Sequence, residues 1–382
     1  MDFKALVENR HEYAKAWKAR TGGHVVGYFE TYFTEEIAYA AGLLPVRILA
    51  RHEPDDVSTK WIYASCYPVR DFVNQFLLGR YDYLDAVIEI EGCQWIWNAW
   101  EVIRNVFPDL KKHTHDVFNP DYPDGALAKD LMVSELRILK SRFEEWFGRE
   151  ITDEALDNAI EVYNTNRRLL RRIFELRRHY DAPIPGSEIA QLILADQLMD
   201  KAEMNKILEE YIREIEDRPR GKDCIRLMMI GSDTWDSDVE EMVEAVGGNV
   251  VIDELQNSSG YFWREIYPQR DRLMAIGLCY LGKPHSALKD NNWRRRPQHI
   301  HQLYEDFMAD GALIIKQIYC VSHGTDNYAV WKSLREKNYP YHFFERDTTL
   351  PEDETRQRLE SFVQMLKPGA NRLRGWHKPL VL

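Results

Sequence analysis

The chain has 382 residues, of which 45% are hydrophobic, and it carries a formal net charge of −12. A chain of this length is expected to form two or more packed units, and its composition excludes a disordered protein. The acidic balance argues against nucleic acid as the main partner. The sequence opens without a basic stretch followed by an apolar one, and its apolar runs are too short to cross a bilayer. We therefore expect a cytoplasmic protein that does not bind a membrane.

Short strands alternate with helices in the first third of the chain. A helix is predicted after Thr34, a residue type that often caps helices, and Glu35 and Glu36 suit the positive first turn of that helix. A second helix is predicted to begin at Pro68 and to end at Gly79. Apolar, β-branched and aromatic composition predicts strands at 25–29, 44–49 and 86–90.

The middle of the chain has helical periodicity. Apolar residues recur at three- to four-residue spacing over 132–147 and again over 156–170, after a helix start signal at Thr152. Such stripes form either an intramolecular core or a face for a partner helix. We favour the core, because most helices are stabilised by packing an apolar face within their own fold.

The alternating pattern returns near Asp223 and continues through the last third of the chain. Strands are predicted at 225–230, 249–252, 313–318 and 341–344, with helices at 236–246 and 325–337. Right-handed β-α-β connections produce parallel sheets with helices on both faces. We therefore predict an α/β fold of two doubly wound, mostly parallel-sheet domains, with an N-terminal α/β domain at 1–130, a helical region at 131–222 and a C-terminal α/β domain at 223–382.

Five cysteines, an odd number widely spaced in a large chain, indicate reduced thiols or metal ligands rather than a disulfide framework. Cys66, Cys93 and Cys320 each lie at the end of a predicted strand or at the entry to a helix, where open α/β folds place ligand sites. Free N–H groups at such positions stabilise thiolates, which could hold zinc or an iron–sulfur cluster. We interpret Cys224 and Cys279 as small core residues.

Other side chains near these cysteines allow two interpretations each. His323, our candidate catalytic residue, either tunes a metal site and moves protons or simply lies at a helix entry. The basic run 293–296 (Trp-Arg-Arg-Arg) is either a solvated loop or a functional surface, namely an anion site for a nucleotide-tailed substrate or a docking surface. An aromatic run just after Cys93 either encloses a dry pocket or belongs to the core: Trp95, Trp97 and Trp100.

Phosphate-binding loops of the usual kinds are missing from the sequence. It contains neither a Gly-x-Gly-x-x-Gly fingerprint nor a Gly-x-x-x-x-Gly-Lys-Ser/Thr loop, which argues against binding of nicotinamide nucleotides or ATP by those loops. A Gly-x-Ser-x-Gly motif is also missing, which argues against a serine hydrolase.

Motifs spread over nearly the whole chain form one recognisable ensemble. They are Gly27-Tyr28-Phe29-x-x-Tyr32-x-x-Glu35-Glu36-x-x-x-Ala40-Ala41-Gly42-x-x-Pro45-Val46-Arg47; Ser65-Cys66; Leu84-Asp85-Ala86-Val87 before Cys93; Gly231-Ser232 with Gly247-Gly248-x-Val250-Val251-x-Asp253-Glu254; and Glu345-Arg346-Asp347 with Glu354-x-x-x-Arg358-x-Glu360-x-Phe362. Together they resemble the 2-hydroxyacyl-CoA dehydratase / benzoyl-CoA reductase family.

The resemblance implies a cofactor, its ligands and a set of partners. In that family two related subunits pair, and each holds a [4Fe–4S] cluster by three cysteines between two α/β domains. The matching positions are Cys66, Cys93 and Cys320. The implied partners are a homologous larger cluster-binding subunit, an ATP-hydrolysing iron–sulfur activator that supplies low-potential electrons, and an aryl-CoA or acyl-CoA substrate.

Within that family the chain is most similar to the smaller, C (gamma) type of subunit in ATP-dependent benzoyl-CoA reductases. Such enzymes are oxidoreductases that reduce an aromatic ring by successive one-electron and proton transfers. Many dehydratase relatives carry a cysteine after Asp-Glu-Leu, where this chain has Gln256, and this difference favours the reductase. A subunit of a radical 2-hydroxyacyl-CoA dehydratase, and a non-catalytic scaffold or zinc subunit, remain the alternatives.

Overall fold

The computed structural model describes residues 2–51, 56–62, 65–219, 221, 224–284, 286–287, 295–347 and 352–367. Its strands form two four-stranded sheets, and every strand pair in them is parallel. The first sheet contains β1 (Val25–Tyr28), β2 (Leu44–Arg47), β3 (Ala86–Ile90) and β4 (Thr114–Val117). The second contains β5 (Ile225–Gly231), β6 (Gly248–Glu254), β7 (Gly311–Gln317) and β8 (Tyr341–Arg346). The predicted α/β fold with two doubly wound parallel sheets is confirmed.

Helices fill the connections between the strands. The N-terminal part contains α1 (Phe3–Glu8), α2 (Arg10–Thr21), α3 (Glu35–Ala40), α4 (Tyr67–Leu77) and α5 (Gln94–Val106). Between the two sheets in sequence lie α6 (Ala128–Phe147), α7 (Asp153–Leu176), α8 (Gly186–Asp196) and α9 (Lys201–Glu216). The remaining helices are α10 (Asp238–Ala245), α11 (Ser259–Phe262), α12 (Arg272–Leu281), α13 (Arg295–Asp306), α14 (Val321–Glu336) and α15 (Glu352–Leu366). None of the described helices is both long enough and apolar enough to cross a membrane.

One of the apolar clusters of the core includes strand residues of both sheets. Successive strand residues point to opposite faces, so Val25 packs with α4 and α5 while Val26 packs with α6 and α12. Met228 of β5 belongs to the same cluster as Val25. Helix α12 follows the second sheet's β6 in sequence but contacts α6 and α7. The chain therefore crosses between the two halves, and the domain boundaries at 130 and 222 stay predictions.

Both sheets have the same topology. Their orders are β2-β1-β3-β4 and β6-β5-β7-β8, so the first strand of each sheet lies between the second and the third. The connections from the first and third strands then leave in opposite directions at the carboxyl edge. Ligands of open α/β sheets bind in the crevice that this switch point creates.

Local details differ from the sequence-based predictions in three places. The helix predicted at 325–337 begins earlier, at Val321, which places His323 in its first turn. Thr34 is the N-cap residue of α3, but its hydroxyl makes no capping hydrogen bond. The sequence does not predict strand β4, because its residues Thr-His-Asp-Val contain no apolar run and three of its four side chains are partly or fully exposed.

The N-cap of α7 makes the bond that the sequence predicts. Thr152 Oγ1 accepts a hydrogen bond from the backbone N–H of Ala155 at 3.2 Å. We expect Thr152→Ala to lower the free energy of unfolding by about 1 kcal/mol, because the N–H then loses its acceptor. Thr152→Ser keeps the hydroxyl and should change the free energy of unfolding only slightly. Urea denaturation compares the two, and equal losses would contradict a capping role.

Candidate functional site

Cys93 and Cys320 occupy equivalent places in the two sheets. Each lies three residues beyond the third strand, since β3 ends at Ile90 and β7 ends at Gln317. Both are the N-cap residues of the helices that follow, α5 and α14. Cys66 is the N-cap residue of α4, the helix that leads from β2 back to β3. The three predicted cysteines therefore share one local environment.

Each of the three sulfurs lies close to the backbone N–H of the third residue of its helix. These N–H groups belong to Val69 for Cys66, to Ile96 for Cys93 and to His323 for Cys320. First-turn N–H groups have no acceptor within their own helix, and the helix dipole adds positive potential there. Three helix N-termini thus favour negative charge at the three sulfurs.

The thiols also affect one another. Burial and then the charge of Cys320 raise the pKa of the Cys66 thiol to about 12. Burial and then the charge of Cys66 raise the pKa of Cys93 as well. At Cys320 burial again raises the pKa, and the His323 N–H and the Ser232 hydroxyl act in the opposite direction. The metal-free protein therefore holds protonated thiols, and a bound metal must displace those protons.

The three thiols are neighbours, since the charge of Cys320 acts on Cys66 and the charge of Cys66 acts on Cys93. In the part of the chain that the structure describes, no three His, Cys, Asp or Glu side chains form a group that could hold a single metal ion. The other two cysteines lie elsewhere. Cys279 is buried and donates its thiol to the Arg264 carbonyl at 3.3 Å, as expected of a core residue. Cys224 precedes β5, at the sheet edge opposite to Cys320.

The carboxyl edges of the two sheets face each other, and Arg47 joins them. Its side chain, at the end of β2, is 0% exposed. It donates to the Phe29 carbonyl at 3.1 Å, to Gln197 Oε1 at 2.8 Å and to Asp233 Oδ2 at 2.9 Å. Asp233 follows β5, so a single buried guanidinium connects the cysteine-bearing edges of both sheets.

An aromatic contact extends this connection to α4. The Arg47 guanidinium lies 4.8 Å from the ring centroid of Trp235. The Trp235 ring meets Phe72 of α4 edge to face, with centroids 5.2 Å apart. Because Cys66 caps α4, the chain of contacts from Asp233 to Phe72 fixes the position of Cys66 relative to the second sheet.

Two buried carboxylates connect α3 to helices of the middle and last thirds of the chain. The sequence predicts Glu35 and Glu36 as partners of a helix dipole, and they do begin α3, but both are buried. Glu35 accepts hydrogen bonds from Tyr28 at 2.9 Å, Tyr163 at 3.1 Å and Tyr261 at 2.7 Å. Glu36 accepts from Arg167 at 2.5 Å and Tyr280 at 3.0 Å. Burial raises the pKa of Glu35, and the charge of Lys201 opposes that rise.

A small cleft opens beside the first turn of α14 and is lined by Lys283, Arg296 and His323 among others. Lys283 lies in it and donates to the Thr31 carbonyl at 2.6 Å, and burial lowers the pKa of Lys283 to about 8. Burial and then the charge of Arg296 lower the pKa of His323 to about 3, so its imidazole is neutral. Its Nδ1 has no hydrogen-bond partner among the described residues. The catalytic role of His323 stays a prediction.

The 2-hydroxyglutaryl-CoA dehydratase, D-component, family matches residues 30–366 of the chain. The chain belongs to this family. The (R)-phenyllactyl-CoA dehydratase beta subunit of Clostridium sporogenes is 23% identical over 96% of the chain and 98% of that protein. A subunit of the benzoyl-CoA reductase of Thauera aromatica is 25% identical over 80% of the chain and 81% of that protein. The (R)-2-hydroxyglutaryl-CoA dehydratase subunit beta of Acidaminococcus fermentans is 23% identical over 84% of the chain and 86% of that protein.

The predicted family resemblance is therefore confirmed, at the level of the dehydratase and reductase subunits together. Identities of 23% to 25% do not separate the two activities. In this member of the D-component family, the three N-cap cysteines all fall within the matched residues 30–366.

Only Arg295 and Arg296 of the basic run 293–296 lie within the described residues, and both already pair with carboxylates. Trp293 and Arg294 lie outside the described residues. Arg295 is exposed and pairs with Asp124 at 2.6 Å. Arg296 is 3% exposed, donates to Glu254 at 2.7 to 3.2 Å and pairs with Asp326. For Arg296 both the solvated-loop and the anion-site interpretations are wrong, because two carboxylates already pair with it.

The tryptophans after Cys93 pack mainly into the protein. Trp100 is buried in the core. Trp95 and Trp97 are partly buried against the same cluster, and the ring centroids of Trp97 and Trp100 lie 5.1 Å apart. These contacts support the core interpretation of the aromatic run.

Proposed function

We propose that this chain is an iron–sulfur subunit that passes single low-potential electrons to a CoA thioester. Cys66, Cys93 and Cys320 would hold a [4Fe–4S] cluster. One observation carries this proposal: all three cysteines are N-cap residues at the facing carboxyl edges of the two sheets. A cluster bound by three thiolates is negatively charged, and helix N-termini stabilise such a group.

A structural zinc ion and an iron–sulfur cluster require different sets of protein ligands. A structural zinc site brings four donors to about 2.0–2.3 Å from one ion. Among the described side chains no such group of three or more donors exists. A cluster binds each thiolate at a different iron, so its ligands remain apart, and three protein ligands leave one iron open. When bound, the cluster supplies one-electron chemistry.

The surrounding residues would hold this group in place and limit access of water. Arg47 keeps the two sheet edges together, and Trp235 packs against Phe72 of α4. Restricted water access strengthens local electrostatic interactions and suppresses side reactions of unstable radical species.

For the reaction, we propose reduction of the ring of an aryl-CoA thioester, as in benzoyl-CoA reductase. The support is Gln256, which stands where many dehydratase relatives carry a cysteine. Its side chain donates to Glu30 at 3.3 Å and accepts from Ser286 at 3.1 Å, and its carbonyl accepts from Thr31 at 3.0 Å. An amide is therefore fixed at this position, and it offers no thiolate. A homologous larger cluster-binding subunit and an ATP-hydrolysing iron–sulfur activator would be the partners.

Dehydration of a 2-hydroxyacyl-CoA is the second candidate. It is favoured by the match to the phenyllactyl-CoA dehydratase beta subunit, which spans 96% of this chain and 98% of that protein. Consumption of reductant separates the two reactions. Ring reduction consumes electrons in proportion to product, whereas dehydration recycles the electron that starts it. A scaffold subunit would show neither reaction and would bind no iron.

Iron and acid-labile sulfide analysis with EPR tests the proposal, on protein purified anaerobically together with any partner subunits. We expect Cys66→Ser, Cys93→Ser and Cys320→Ser each to lose one cluster's content of iron. Cys224→Ser is the matched control and should retain it, because Cys224 lies at the opposite sheet edge. Unchanged iron in the three variants, or zinc in its place, would contradict the proposal.

A further inference from the structure

Lys283 is a buried cation that has no carboxylate partner among the described residues. It is 8% exposed, and its Nζ donates to the Thr31 carbonyl at 2.6 Å. Lys201 is buried as well, but its Nζ lies 2.7 Å from Asp196 Oδ2. Buried charges are normally paired in this way. Something other than a salt bridge must therefore stabilise the charge of Lys283.

Three tyrosine rings pack around the Lys283 ammonium. Their centroids lie 4.3 to 5.7 Å from Nζ, and the rings belong to Tyr32, Tyr261 and Tyr280. Ring faces attract a cation at such distances. Two of these tyrosines donate their hydroxyls to Glu35 and Glu36, at 2.7 and 3.0 Å, so each of the two rings links the ammonium to a buried carboxylate. The rings stabilise the ammonium without using any of its N–H bonds.

Lys283 lines the small cleft beside α14 together with His323, whose Nδ1 has no hydrogen-bond partner among the described residues. An ammonium has three N–H bonds, and within the described part of the chain only the Thr31 carbonyl accepts one from Lys283. Buried polar groups are normally hydrogen-bonded, so the remaining N–H bonds suit a ligand with an oxygen acceptor. The cleft has a volume of about 20 Å³, and one water molecule needs about 10–15 Å³. A group as small as a carbonyl therefore fits, whereas a phosphate or an aromatic ring does not.

We propose that the ammonium of Lys283 binds the carbonyl oxygen of the CoA thioester substrate through a hydrogen bond. This inference rests on the proposed function, which supplies the thioester. The position of the cleft fits that role, because His323 lies in the first turn of α14 and Cys320, a proposed cluster ligand, caps that helix. When the thioester accepts an electron, negative charge develops on its carbonyl oxygen, and a fixed ammonium stabilises that charge. Lys283 is thus a catalytic residue of the proposed reaction.

Isothermal titration calorimetry with two ligands tests the inference, on anaerobically purified protein with any partner subunits present. The ligands are benzoyl-CoA and the thioether benzyl-CoA, which carries a methylene group in place of the carbonyl. Wild type should bind benzoyl-CoA more tightly, and equal affinities would overturn the inference without need of a variant. Lys283→Met should weaken binding of benzoyl-CoA about 10- to 100-fold, because a hydrogen bond from a charged donor is lost. Its affinity for benzyl-CoA should match that of the wild type, and an equal loss for both ligands would also overturn the inference.

Lys332→Met is the matched control. Lys332 lies on α14 with 55% of its side chain exposed, and its replacement should change neither affinity. Iron and acid-labile sulfide in the same samples separate this inference from the proposed function. Wild-type protein without iron would overturn the proposed function, whatever its affinity for benzoyl-CoA. Iron-loaded protein whose affinity for benzoyl-CoA does not depend on Lys283 would overturn this inference alone.

Discussion

Arg47→Met should lower the free energy of unfolding by about 3–5 kcal/mol and reduce the iron that the protein retains. Removing one partner of a buried ion pair has this cost, because the remaining charge stays buried without compensation. Here that charge is Asp233, which accepts from Arg47 at 2.9 Å. The Gln197 side-chain oxygen and the Phe29 carbonyl lose a donor in the same substitution. Urea denaturation of metal-free protein and iron per chain measure the two effects.

The charge of Asp233 is the reason for the large loss of stability that we expect in Arg47→Met. Burial raises the pKa of Asp233, and Arg47 is the main group that opposes this rise. Without the guanidinium, the carboxyl group must either bind a proton or remain charged in a buried site. Asp233→Asn in the Arg47→Met background removes that problem and should recover part of the loss. The free energy of unfolding of Arg47→Lys should lie between those of wild type and Arg47→Met. An ammonium keeps the charge but cannot reproduce the planar guanidinium that reaches three acceptors.

Arg172 is the exposed counterpart for this experiment. It pairs with Glu216 at 3.0 Å, with 52% and 43% of the two side chains exposed. Exposed ion pairs contribute little to the stability of a fold, so Arg172→Met should change the free energy of unfolding by less than about 1 kcal/mol. If Arg47→Met were no more destabilising than Arg172→Met, the two sheet edges would not depend on the Arg47 connection.

Most of the fold could be predicted because its signals are local. Parallel strands with both faces buried are short, continuous apolar runs, and glycines or helix caps separate them from the next element. Strand β5 (Ile225–Gly231) is an example, with every residue buried. Strand β4 (Thr114–Val117) has polar side chains and lies at the sheet edge, so its pairing with β3 leaves no such pattern.

The cysteines could be predicted as a site, whereas the contacts that position them could not. A cysteine at a strand end is a local signal, but Arg47 and Asp233 are 186 positions apart in sequence. Charged residues are mostly exposed, so the sequence alone places Glu35 and Glu36 on a helix surface. One signal was available for Arg47: it stands inside the apolar segment 44–49, whose strand is buried throughout. A charge in such a segment must find a buried partner.

Glu240 should destabilise the folded protein increasingly between about pH 5 and pH 8, and Glu240→Gln should remove that contribution. Glu240 is 3% exposed, and its Oε2 has no hydrogen-bond partner among the described residues. Burial raises the pKa of Glu240 from 4.5 to about 8. The charges of Asp236 and Asp253 add to the rise, and Arg346 opposes it. The folded protein thus holds this proton where the unfolded chain has already released it.

The sign and size of the effect follow from proton linkage. Below about pH 4.5 both states are protonated at Glu240, so the group has no effect on folding. Between that pH and about 8 unfolding releases a proton, so rising pH favours the unfolded state. Each pKa unit corresponds to 1.36 kcal/mol, which gives a loss on the order of 3–5 kcal/mol by pH 8. Above pH 8 both states are ionised, and the loss is constant.

Urea denaturation at pH 5, 6, 7 and 8 measures this difference between wild type and Glu240→Gln. Glu210→Gln is the control, since that exposed carboxylate lies on α9 and its removal should leave the wild-type pH dependence unchanged. The two curves for wild type and Glu240→Gln should be close at pH 5 and should separate as the pH rises. Parallel curves would mean that Glu240 is ionised inside the folded protein at pH 5. Arg346, or water in the adjoining cavity that Glu240 shares with Arg177 and Asp253, would then stabilise its charge.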